Sequence, residues 1–129
     1  MSEKLAEDFI AALSKLEANS DVEPIAALFA ENSEVGNIVT DNNENASKDA
    51  REFWQNYRAT FGEVKSEFRN KIHSEKASAL EWTTTGTNKN GDQIKYDGVS
   101  ILETDGDKIT RFFAYFDPSD LGQQIAEEK

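Results

Sequence analysis

At Val64 the apolar residues of this chain stop recurring at three- and four-residue spacing and begin to alternate. A helical period followed by a strand period predicts segregated layers, helices first and an antiparallel meander afterwards, which is an α+β arrangement. Upstream of the switch, Leu5, Phe9, Ala12, Leu13 and Leu16 share one helix face. Ser20 and Glu23 have capping-box spacing, and Pro24 is tolerated in a first turn, so a second helix carries Ile25, Leu28 and Phe29. Residues 33–39 read as a short strand and 40–45 as a loop. Ser47 is placed to cap a third helix with the inner face Ala50, Phe53, Trp54, Tyr57 and Phe61, ending at Gly62.

Downstream, Val64, Ser66, Phe68, Asn70 and Ile72 alternate with Lys65, Glu67, Arg69, Lys71 and His73, which predicts a strand with one charged face toward water. His73 falls on that charged face. Three further strands follow over about 77–87, 93–103 and 108–116. Asn90-Gly91 and Asp105-Gly106 join them, because Asn, Asp and Gly tolerate the positive φ of hairpin turns. Asp117-Pro118-Ser119 stops the last strand and suits the cap of a short terminal helix, with 126–129 fraying. No repeat, linker or low-complexity stretch divides the 129 residues, so 1–129 reads as one domain.

Composition narrows the function classes. Twenty-five acidic against fourteen basic residues give a net charge of −11, which argues against nucleic acid and anionic membrane surfaces as partners. The absence of cysteine excludes disulfides and thiol nucleophiles, and a single histidine excludes a multi-histidine metal centre. No metal and no cofactor are expected. The first residues lack the basic and apolar regions of a leader, and no apolar run approaches the roughly 20 residues of a membrane span, so a cytoplasmic location is expected. Thirteen aromatic residues need burial, which argues against disorder.

The last strand is apolar on both faces. Phe112, Ala114 and Phe116 point one way, Phe113 and Tyr115 the other. A sheet covered by helices on one side only has a polar outer face, so Phe113 and Tyr115 ask for a cover. An isologous homodimer through this outer face is the economical one. The alternative is that the terminal helix folds back over them.

These features together resemble the nuclear transport factor 2-like superfamily and, within it, the SnoaL-like group. The resemblance spans about 5–125 and rests on Asp21-Val-Glu-Pro-Ile-Ala-Ala-Leu-Phe-Ala30, Ala50-Arg-Glu-Phe-Trp54, Ala79-Leu-Glu-Trp82, Gly98-Val-Ser-Ile101, Gly106-Asp-Lys-Ile109 and Tyr115-Phe-Asp117. It implies a cone-shaped, curved antiparallel sheet closed by the N-terminal helices around an apolar cavity. Relatives include ketosteroid isomerases, limonene-type epoxide hydrolases, polyketide cyclases and non-catalytic binding modules, so fold alone does not decide function.

Carried over residue by residue, the resemblance removes the known isomerase and epoxide-hydrolase chemistries and weakens the cyclase one. The isomerases' first-helix tyrosine falls at Phe9, their general base at Asn37 and their protonated aspartate at Val99. A carboxamide does not take up a proton near neutral pH. Asn37 resembles the water-orienting asparagine of the epoxide hydrolases, but their neighbouring tyrosine is Val35 and their last-strand aspartate Ala114. The strand Leu80-Glu-Trp-Thr-Thr-Thr85 holds no Arg-x-Asp pair.

Two polar residues remain as catalytic candidates. Asn37 would anchor a ligand carbonyl or a water, or else satisfy backbone groups. Asp97 shares strand parity with Val99 and would face the cavity, or else sit solvated at its rim. Asp117 reads as a helix cap. In this fold Phe9, Asn37, Phe53, Trp54, Tyr57, Trp82, Val99, Phe112, Ala114 and Phe116 would line the cavity. The leading expectation is a domain binding a small lipophilic ligand without the known family chemistry. The alternatives are a hydrolase, cyclase or isomerase built on a pair such as Asn37 and Asp97, and a dimeric interaction module with a filled core.

Overall fold

A computed structural model describes residues 2–37 and 49–117. The elements run α1 (Ser2–Asn19), α2 (Glu23–Ala26), β1 (Phe29–Asn37), α3 (Ala50–Ala59), β2 (Val64–His73), β3 (Ala77–Thr87), β4 (Gln93–Asp105) and β5 (Lys108–Phe116). The loop at 40–45, the Ser47 cap and the terminal helix lie outside the described residues. Among those described, Asp49 caps α3: its side chain accepts from the Glu52 N–H at 3.0 Å.

The expected face of α1 is buried, from Leu5 and Phe9 to Leu13 and Leu16. Ser20 does not open α2. It ends α1 in the left-handed region at φ 59°, donating its N–H to the Leu16 carbonyl at 2.8 Å. The N-cap of α2 is Val22, and the nearby side-chain bond comes from Asp21, which accepts the Glu23 N–H at 3.3 Å. Only Ile25 of this single turn is fully buried; Phe29 already belongs to β1.

The five strands form one curved, unclosed sheet in the order β1-β5-β4-β3-β2. From β2 to β5 it is the expected antiparallel meander. β1, however, pairs parallel to β5, in register from Glu34↔Arg111 to Asn37↔Ala114, so the sheet is mixed. The chain leaves β1 at one edge and starts β2 at the other, with α3 between. The meander then returns to β1 with its last strand running in the same direction. Alternation along a strand carries no signal of direction, which is why this pairing is invisible in the sequence.

β2 departs from strict alternation. Phe68 pairs with Trp82, but Lys71 pairs with Leu80, so the register slips between them. Such a bulge inverts the faces beyond it. Ile72, expected inside, is 70 % exposed, whereas His73 stands opposite the buried Ser78, its Nδ1 2.7 Å from Ser78 Oγ. Lys71 likewise reaches Glu7 on α1 at 3.3 Å.

Candidate functional site

Helices and inner sheet face enclose a cavity of about 410 Å³. Two aromatic groups form its walls. In one, Phe9 from α1, Trp54 from α3 and Phe112 from β5 meet with ring centroids 5.0–5.7 Å apart, and Phe53 joins edge-on to Trp54 at 4.9 Å. In the other, Tyr96 of β4 lies 5.4 Å from Trp82 and 5.2 Å from Phe116. These tilted and T-shaped contacts suit the quadrupoles of the rings. Trp82 crosses β4 above Gly98, where a Cβ would come within 2.5 Å of the indole and 2.6 Å of the Tyr115 carbonyl. Its Nε1 then donates to Ser100 Oγ at 2.9 Å. Glu52 and Asn56 of α3 and Thr60 at its C-cap, all exposed and spaced by four, mark the mouth.

Nine of the ten residues expected around a cavity line this one: Phe9, Asn37, Phe53, Trp54, Tyr57, Trp82, Phe112, Ala114 and Phe116. Asn37 and Ala114 are register partners across β1 and β5. Val99 is misplaced by the sequence reading, and Asp97 with it. β3 and β4 pair without interruption from Ala77↔Glu103 to Thr87↔Gln93. Parity is therefore set by Tyr96, Ser100 and Leu102, which are buried, and the alternate residues Asp97 and Val99 face outward. Asp97 accepts from Thr83 and lies 3.6 Å from Arg69.

The residue that sequence reasoning missed is Glu17. It is 5 % exposed, behind the cavity wall. Its Oε1 accepts the Ser66 N–H at 2.9 Å; its Oε2 accepts Tyr57 O–H at 2.7 Å and Ser66 O–H at 2.6 Å. Ser66 Oγ also lies 2.7 Å from Thr84 Oγ1. A signal existed: Glu17 stands four residues after Leu13 and eight after Phe9, on the buried face of α1. Burial holds the Tyr57 phenol well above its ordinary range, and the Glu17 charge pushes the same way. Tyr96 is raised by burial first and by Glu17 second. Both phenols therefore keep their protons and serve as hydrogen-bonding groups rather than bases. Trp54 Nε1 is buried and has no hydrogen-bond partner among the described residues.

Among the described residues no group of three or more His, Asp or Glu side chains could hold a metal ion. No described helix is long and apolar enough to cross a membrane.

With this arrangement of helices, mixed sheet and cavity, the sequence matches the model of the SnoaL-like domain over residues 6–112. The chain belongs to the SnoaL-like domain family. Solved structures share the fold of this SnoaL-like chain at low identity. TerC, co-crystallized with polyporic acid, is 16 % identical with a TM-score of 0.78, over 96 % of this chain and 97 % of its own. An M. tuberculosis LEH-like epoxide hydrolase is 16 % identical, TM-score 0.72, over 96 % and 91 %. A Catenulispora acidiphila protein with a ketosteroid isomerase-like fold, in complex with trimethylamine, is 15 % identical, TM-score 0.74, over 91 % of each chain. The comparison with curated proteins found no match.

Proposed function

We propose that this SnoaL-like domain holds a small apolar ligand in its cavity and performs neither the isomerase nor the epoxide-hydrolase reaction of its relatives. The observation that carries this reading is an aromatic-walled cavity of about 410 Å³ whose β1–β5 seam bears Asn37 and Ala114 rather than a carboxylate. A ligand of terpenoid or steroid dimensions loses most of its water-exposed apolar surface in such a site. The enzyme reading based on Asn37 with Asp97 has lost its second member, because Asp97 is on the far side of the sheet. Cytoplasmic residence belongs to the same proposal; cell fractionation checks it.

Thermal-shift titration with terpenoid and steroid compounds is the test. A ligand that binds only the folded state raises the melting temperature with its concentration. Ala114→Leu, which narrows the cavity, should abolish that shift. The absence of any shift up to the solubility limit would sink the binding reading. Turnover of a β,γ-unsaturated ketone or an epoxide above the buffer rate would sink the non-catalytic one.

Self-association through the outer face is a second proposal. Tyr115 remains 43 % and Val99 36 % exposed; Phe113, expected to share that interface, is instead only 4 % exposed within the single chain, with the Arg111 guanidinium 5.0 Å over its ring. Tyr115→Glu should shift the sedimentation coefficient toward monomer; an unchanged profile would show that this aromatic builds no interface.

A further inference from the structure

We propose that Tyr57, Ser66 and Thr84, organised by the buried Glu17, form a polar subsite that receives the hydroxyl group of a neutral, ring-built ligand. This rests on the cavity-binding reading above and names the chemistry that the cavity selects. Glu17 Oε2 receives the Tyr57 and Ser66 hydroxyl protons. A serine hydroxyl has only one proton, so in the 2.7 Å contact between Ser66 and Thr84 the donor is Thr84. Tyr57 and Thr84 line the cavity with their protons committed elsewhere, and only oxygen lone pairs remain for a ligand. They are acceptors.

Tyr96, the register partner of Thr84 on the neighbouring strand, has the opposite character. The Tyr96 phenol stays protonated and lines the same wall. One wall thus presents acceptors beside a donor, and a hydroxyl is a small neutral group that donates and accepts at once. A carboxylate would set a second negative charge near Glu17 in a cavity that no Lys, Arg or His lines among the described residues. An ether has no proton for Tyr57 or Thr84. An ammonium has no lone pair for Tyr96. The aromatic walls ask for a ring-built body.

Calorimetric titration of the full chain with five matched compounds tests this: 2-naphthylmethanol, its methyl ether, 2-methylnaphthalene, 2-naphthylmethylamine and 2-naphthoate. The alcohol should bind about tenfold more tightly than the ether, the hydrocarbon and the ammonium, and 2-naphthoate should not bind. Tyr57→Phe and the nearly isosteric Thr84→Val should each reduce the alcohol's advantage over the hydrocarbon while leaving the hydrocarbon's own affinity unchanged. A network with only a structural role would lower the melting temperature without changing that ratio, which would overturn the subsite. Equal binding of alcohol, ether and hydrocarbon overturns the subsite but leaves the cavity-binding proposal standing. Tighter binding of the ammonium turns the site into a cation site and overturns the hydroxyl assignment. No binding by any of the five overturns both.

Discussion

On the outer face of the sheet, Glu81 and Asp97 lie 3.3 and 3.6 Å from the Arg69 guanidinium and stay partly in water. Behind the inner face, Glu17 is almost wholly buried and is held by the uncharged donors of Tyr57 and Ser66. The same kind of side chain is therefore stabilised in two ways. Outside, charge meets charge in high dielectric, where such pairs are worth little and salt weakens them. Inside, the carboxylate is tolerated only because its lone pairs are occupied, and the donors around it lose as much as it does when a partner is removed. A net charge of −11 says nothing about this distinction. Position relative to the sheet decides whether an acid keeps the protein soluble or organises its interior.

The contrast between the faces can be broken in several ways. Trp54→Ala should have the largest effect, about 3–5 kcal/mol of stability in a denaturant titration, since it empties the inner wall between Phe9, Phe53 and Phe112. Glu17→Ala comes next, at about 2–4 kcal/mol, because the Tyr57 hydroxyl and the Ser66 N–H lose their acceptor. Glu17→Gln should recover part of that loss.

The alkaline limb is smaller. Tyr57 and Tyr96 have raised pKa values in the folded state, mainly through burial, against about 10 when unfolded. Their contribution is therefore complete below about pH 10 and is lost as pH rises through the folded-state values. Tyr57→Phe should flatten the decline of denaturation midpoints measured from about pH 8 to 11.

Asp97→Asn should cost least, under about 1 kcal/mol, with the cost shrinking further in high salt. A penalty for Asp97→Asn as large as that for Glu17→Ala would erase the difference between the faces.

Much of the fold was legible because it is written in local spacing. The inner stripe of α1, the aromatic face of α3 and the two-sided apolarity of β5 all follow from short-range periodicity, and the structure has each of them. Nine cavity residues were reachable once the resemblance to the SnoaL-like group supplied the fold in which those faces meet. The failures share a cause. Val99 was assigned by similarity to relatives and Asp97 by sharing its parity, whereas parity in β4 is fixed by pairing with β3. His73 and Ile72 exchanged faces because a bulge in β2 is defined by its partner strand. Glu17 had the right helical position, but a carboxylate is credibly buried only once donors from elsewhere are known to meet it.

By itself, then, the sequence determined the order of the elements, the buried faces of the helices and the aromatic character of the interior. Propensity and periodicity act over a few residues and need no knowledge of the rest of the chain. The tertiary structure alone decided that β1 runs parallel to β5, that Asp97 faces water, and that Glu17 is enclosed. Those outcomes depend on contacts between distant segments: Tyr57 and Ser66 reach Glu17 across 40 and 49 residues of chain. No local pattern encodes whether such partners arrive, and the energetics of a buried charge depend on their arrival.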